Sequence, residues 1–134
     1  MVKDLRLQDL VFFVGYVPDN ELLQLYQHAL ALVMPTFFGP TNIPILEAWT
    51  ASCPVITSDI RGIREQVGNA GLLIDPNDVA AIAGAIWKVY TDSELRKRLI
   101  YQGLLHLHDW TPEKFSHSLS EIISQSINKR DSKA

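Results

Sequence analysis

With 134 residues the chain is one domain at most by length, and 47% hydrophobic against 20% charged residues is the composition of a folded core, not of a disordered segment. A formal charge of -3 and a pI near 5.7 supply no electrostatic footprint for nucleic acid, and the single Cys53 excludes an internal disulfide. One cysteine suits a reducing compartment, Met1-Val2-Lys3-Asp4 opens no signal peptide, and no apolar run reaches the length of a membrane span, so a cytoplasmic location is expected.

Val11-Phe12-Phe13-Val14-Gly15 reads as a first buried strand, closed by Gly15 and Pro18-Asp19-Asn20. Asp19 or Asn20 then caps a helix with an apolar face of Leu22, Leu23, Leu25, Tyr26 and Ala29. Ala31-Leu32-Val33-Met34 is a continuous apolar run, the pattern of a strand covered on both faces in a parallel sheet. Two aromatics and Gly39-Pro40-Thr41-Asn42 follow, so the chain turns there, and Asn42 caps a helix whose first turn tolerates Pro44. Strand, polar turn and helix N-terminus outline an anion site, with free amides at the carboxyl ends of the strands. Glu47 lies one turn further in, placed to accept hydroxyl donors from whatever the amides hold. The plain alternative is that the turn binds nothing and Glu47 merely complements the helix dipole.

Pro54 opens the next strand, Val55-Ile56-Thr57, and Ser58 to Val67 leads with polar residues into a short helix around Glu65 that faces the same mouth. Asp59 and Glu65 read as candidate cleft residues, with ordinary turn and cap roles as the plain alternative. Gly71-Leu72-Leu73-Ile74 is a fourth strand, and Asp75-Pro76-Asn77-Asp78 starts a helix with Val79, Ile82, Ala83, Ile86, Trp87 and Tyr90 on its apolar face. Asp92 caps a helix striped by Leu95, Leu99 and Leu104. Thr111-Pro112-Glu113 opens a last amphipathic helix bearing Phe115, Leu119, Ile122, Ile123 and Ile127. Residues 128–134 are a polar tail. The alternation of strands and helices predicts an α/β fold, a Rossmann-like parallel sheet with flanking helices. His28, His106, His108 and His117 show no metal-ligand spacing, and the chain has no Walker loop, Gly-rich dinucleotide fingerprint or nucleophile elbow.

Taken in order, the strand ending at Met34, Pro35-Thr36, the turn, Pro44-Ile45-Leu46-Glu47-Ala48, Pro54-Val55-Ile56 and Gly62-Ile63-Arg64-Glu65 resemble the family 4 (group 1) glycosyltransferases. The likeness runs from about Val11 to Trp110. Such enzymes are retaining transferases of the GT-B fold, in which two Rossmann-like domains face each other across a cleft. The resemblance implies that residues 1–127 are the latter part of a C-terminal, donor-binding domain, and that the whole enzyme moves a hexose from a nucleotide-diphosphate sugar to an acceptor hydroxyl. Polysaccharide assembly is the usual setting, and mannosyltransferases are among the members. It further implies that Glu47 accepts from the ribose hydroxyls and that the Asn42 and Ile43 amides approach the donor sugar or diphosphate. The donor sugar would lie over the turn Gly39, Pro40, Thr41, Asn42. The leaving diphosphate is expected to be stabilised electrostatically, with no metal and no cofactor beyond the donor substrate.

Two residues depart from the pattern. Gly39 stands eight positions before Glu47, where the family motif has a first glutamate, and Ser52 stands where a glycine usually follows the helix. The Arg and Lys that usually neutralise the diphosphate, and the N-terminal acceptor domain, have no counterpart in these residues. In a strand order of 3-2-1-4-5-6 the Val11 strand would be third, separated from the Met34 strand by two missing ones. The chain alone is therefore expected to be inactive, with its sheet either gapped or closed up into four strands. Its partner would be the missing domain, a second chain, or another copy of itself at an exposed sheet edge. The alternative function is a non-catalytic binding or assembly module.

Overall fold

A computed structural model describes residues 1–39, 41–109 and 111–131. Helix α1 (Asp19–His28) leads into strand β1 (Leu32–Met34), followed by α2 (Ile43–Thr50), β2 (Val55–Ser58), α3 (Ile63–Val67) and β3 (Leu72–Ile74). Three helices complete the order: α4 (Val79–Thr91), α5 (Ser93–Asp109) and α6 (Pro112–Asp131). The strands lie side by side in chain order and all run parallel, with Val33 opposite Ile56 and Thr57 opposite Leu73. Parallel neighbours require a crossover, and α2 and α3 are those crossovers. The expected Rossmann-like α/β arrangement is what the chain adopts.

Central β2 is buried along its whole length. Successive side chains of a strand point to opposite faces, so Val55 and Ile56 open two separate cores. Val55 packs with Ile45, Ala48 and Trp49 of α2, Cys53, and Ile63 and Val67 of α3, while Ile56 packs with Ile74, Ala85, Val89, Leu95 and Leu99. Full burial of each such aliphatic side chain contributes roughly 1.5–3 kcal/mol. Trp49, 1% exposed, anchors the first core; its indole Nε1–H donates to the Ala70 carbonyl at 3.1 Å and its ring meets that of His106 at 5.5 Å. Helix α5 crosses Trp49 at Gly103, where an added Cβ would stand 2.4 Å from the indole Cδ1. His106 is thus a packing residue, half-buried against Trp49.

Several sequence expectations are corrected. Val11 to Gly15 forms no strand and its aromatics are open, Phe12 being 76% exposed. A strand needs a neighbour, and among the described residues none lies beside it. The sheet accordingly has three strands and not four, with the Val11 segment outside it. Helix α1 begins at Asp19 with Pro18 as its N-cap, and Pro18 gives its carbonyl to the amides of Glu21 and Leu22. Helix α4 buries Ala85 and Val89, backed by Ala81 and Ile82, and leaves Val79, Ile86, Trp87 and Tyr90 outside. That helix is apolar nearly all round, so periodicity could not choose its face, and the alanine side permits the closest approach to the sheet. Leu104 is exposed, as is the whole Phe115, Leu119, Ile122, Ile123, Ile127 face of α6. Helix α6 continues to Asp131, into the stretch read as tail. Asp78 and Asp92 cap as expected, accepting from the amides of Ala81 and Leu95 at 2.9 and 2.8 Å. Arg96 donates to the carbonyls of Val89 and Tyr90, closing the C-terminus of α4. No described helix is long and apolar enough to cross a membrane.

Candidate functional site

Because the strands are parallel, β1 and β2 deliver the chain to the same edge of the sheet, where open α/β sheets take their ligands. Two turns leave that edge, one into α2 and one into α3. In the first, the Thr36 hydroxyl donates to the Phe38 carbonyl at 2.7 Å and folds the segment back, leaving Phe37 and Phe38 exposed. Gly39 follows with φ 148, and a Cβ there would meet the Asn42 side chain at 3.0 Å. This conformation strains any L side chain, so the glycine fits where the family pattern carries glutamate. Pro40 lies outside the described residues.

Asn42 is the N-cap of α2, but its side chain makes no cap bond. Its backbone is held instead by Gln66 on α3. The Asn42 N–H donates to Gln66 Oε1 at 2.9 Å and the Gln66 Nε2–H donates to the Asn42 carbonyl at 3.0 Å. Gln66 is 3% exposed and shares one helix face with Ile63 and Val67. Of the two amides expected to be free, Asn42's is therefore occupied, and Ile43's has no partner among the described residues. Pro44 has no amide to offer. The side-chain Nδ2 of Asn42 and the Oγ of Ser58, the last residue of β2, are buried without a hydrogen-bond partner.

In the second turn, Arg64 Nε donates to Asp59 Oδ1, and this bond holds the Asp59 carboxyl below its usual range. The Gly62 amide donates to Glu65 at the third position of α3. Backbone amides, first its own and then that of Gly62, likewise lower the Glu65 carboxyl. Gly39, Gly62 and Glu65 line a groove of ≈ 610 Å³ with Phe37, Phe38, Ile60 and Arg61.

Glu47 opens elsewhere. It lines a groove of ≈ 390 Å³ between α1 and α2, with Asp19, Leu22, Leu23, Tyr26, Leu46 and Thr50. The Tyr26 hydroxyl donates to Glu47 Oε2 at 3.2 Å. Burial first, then the nearby Glu47 charge and that hydrogen bond, push the Tyr26 hydroxyl up to about 12. Glu47 Oε1 has no partner among the described residues.

The sequence-predicted residues thus fall into groups. Gly39 and Glu65 share one groove and Glu47 lines the other. Asn42 and Ile43 start α2 with exposed Thr41 before them, and Asp59 is tied to Arg64. Sequence reasoning missed Gln66 and Tyr26. The signal for Gln66 was present: a polar residue at the i+3 position from Ile63 and adjacent to Val67 sits on a buried face and requires partners.

The family model for glycosyl transferases, group 1, matches residues 1–106. The O-antigen chain mannosyltransferase B of Escherichia coli is 41% identical over 92 residues, 69% of this chain and 24% of that protein. A glycogen synthase of Mycobacterium tuberculosis is 38% identical over 103 residues, 73% of this chain and 25% of that one. The solved sucrose-phosphate synthase from Thermosynechococcus elongatus superposes with a TM-score of 0.79 at 26% identity, over 96% of this chain and 33% of its own. The chain spans about a quarter of the length of these curated relatives.

Proposed function

Since this chain belongs to the group 1 glycosyltransferase family, we propose that it is the donor-binding part of a retaining transferase that moves a hexose from a nucleotide-diphosphate sugar to an acceptor hydroxyl. One observation carries this reading. Glu47 has one carboxylate oxygen held by Tyr26 and the other without a partner among the described residues, one turn inside a helix whose Ile43 amide likewise has none among them. A carboxylate beside an open groove accepts ribose hydroxyls, and the positive end of α2 favours the diphosphate. In the transfer, the bond from the sugar's anomeric carbon to the diphosphate breaks and a bond to the acceptor oxygen forms on the same face, with loss of that hydroxyl's proton. Preorganised positive charge lowers the barrier by stabilising the departing diphosphate. The groove lined by Gly39, Arg61 and Glu65 is assigned to the sugar end of the donor.

The chain alone turns over no donor, because acceptor recognition and most diphosphate neutralisation lie in the parts of the enzyme that it does not span. Isothermal titration with nucleoside diphosphates tests the binding half: the chain binds at least one of them, and Glu47→Ala weakens it about tenfold, the loss expected for hydrogen bonds to a charged acceptor. Failure to bind any of them would remove the donor reading, and sugar transfer by the purified chain would refute its inactivity.

A second reading, pairing with a separate chain, is favoured by the sheet itself. Among the described residues strand β1 has a neighbour only in β2, so its other edge is open there, and the Val11 to Val14 side chains lie exposed. Sedimentation analysis distinguishes a monomer from a self-paired dimer.

A further inference from the structure

We infer that the opposite end of the sheet, at the amino ends of β1 and β2, carries a second anion site, one that takes a phosphate group, free or esterified to a small polyol. The chain enters β1 through Ala29 and Leu30 and enters β2 through Ser52 and Pro54, and these two entries meet the first turns of α5 around a groove of ≈ 420 Å³. The turns that front the donor site leave the carboxyl ends of the same strands. The four residues of β2 separate the two ends by about 13 Å at 3.3 Å per residue, so this groove is distinct from the one given to the donor.

Charge selects the ligand. His28, Arg96 and Lys97 line the groove together with Ser52 and Ser93, and none of its lining residues is acidic. Arg96 is half-buried, and its Nη1 donates to the carbonyls of Val89 and Tyr90 at 2.7 and 3.0 Å. Those bonds anchor the guanidinium and leave its Nε and Nη2 without partners among the described residues. A planar fork held in place is the group that binds phosphate through parallel, charge-assisted hydrogen bonds. Lys97 Nζ donates to Glu94 at 2.8 Å, but both side chains are well exposed, and a pair of that kind contributes so little that the ammonium can turn to a bound anion. His28 has no side-chain partner among the described residues and supplies a ring N–H. The remaining wall is apolar, made by Leu30, Pro54 and Ile100, and the groove has room beside one phosphate for a short polyol whose hydroxyls meet the two serines.

The test is an amide chemical-shift titration of the full chain with inorganic phosphate, at constant ionic strength set by sodium chloride. Saturable shifts are expected at Ala29, Leu30, Ser52 and Ser93. Lys97→Gln, at an exposed position, should weaken phosphate binding about two- to fivefold. Arg96→Gln should weaken it about tenfold, and the Lys97 variant decides alone if loss of the bonds to α4 unfolds the Arg96 one. A second arm uses glycerol 3-phosphate: tighter binding than phosphate with added shifts at Ile100 assigns the site to an ester, and binding no tighter assigns it to the free anion. Shifts confined to Asn42 and Ile43 would put phosphate at the donor end and overturn the second site. So would the absence of saturable shifts, or an unchanged affinity in Lys97→Gln. The donor reading is judged separately, by nucleoside diphosphate binding and its loss in Glu47→Ala.

Discussion

Gln66 and Asn42, 24 residues apart, exchange two hydrogen bonds in which a side-chain amide pairs with a backbone peptide group as a neighbouring strand would. The pair fastens α3 to the start of α2 and sets the turn that fronts the candidate site. Gln66→Leu keeps the volume but strands the Asn42 N–H without a partner, while the Asn42 carbonyl keeps the Ile45 amide at 3.3 Å. A loss of roughly 1–3 kcal/mol is expected, the cost of one donor left unpaired. Urea unfolding measures it, and a loss below about 0.5 kcal/mol, the range of an ordinary surface change, would show that the pair does not form in solution.

Gly103 is the contact point between α5 and Trp49. Gly103→Ala places a methyl group 2.4 Å from the indole Cδ1, so the helix or the ring must move. Overpacking of this kind costs about 1–3 kcal/mol, more than the helix propensity that alanine restores. Thermal unfolding should show a lowered Tm, whereas Gly84→Ala, a helical glycine with open space around its Cβ position, should raise it.

Acid should weaken the fold through groups at the two helix starts. Asp59, bonded by Arg64, and Glu65 and Glu113, bonded by backbone amides, have folded-state values below their usual 3.8 and 4.5. A depressed carboxyl contributes stability that is present above the unfolded value and lost as pH falls through the folded one. Stability should therefore decline as pH drops below about 4.5, and the Arg64→Met variant, which frees Asp59, should show a shallower decline below 3.8. Equal slopes would mean that the exposed ion pair is screened out.

Alkali acts on the other side through Tyr26. Its folded-state value near 12 lies above the ordinary 10.0, so its contribution is complete below pH 10 and lost as pH rises toward 12. Tyr26→Phe should flatten stability over that window. In the ultraviolet titration of the intact chain, Glu47→Gln should bring the latest-ionising tyrosine to lower pH, because the charge and the acceptor that hold its proton are weakened.

Much of the architecture was legible along the chain because it rests on local rules. Leu32 to Met34, Val55 to Thr57 and Leu72 to Ile74 are short apolar runs between turn signals, and Asp78 and Asp92 announce their helices by side chains that reach backbone amides close in sequence. The motif from Pro44 to Glu47 likewise declares a helix start with a carboxylate one turn in. What the chain could not declare depends on neighbours. Val11 to Val14 has strand character but nothing beside it to pair with, and α4 and α6 have apolar faces whose burial depends on what packs there. The split of the expected site into two grooves, the occupation of the Asn42 amide by Gln66, and the bond from Tyr26 to Glu47 join residues 21 or more positions apart. Local propensity determined the elements and the identity of the chemical groups; tertiary packing decided which groups were already engaged and which stayed open to a ligand, because hydrogen-bond partners are allotted only once the elements meet.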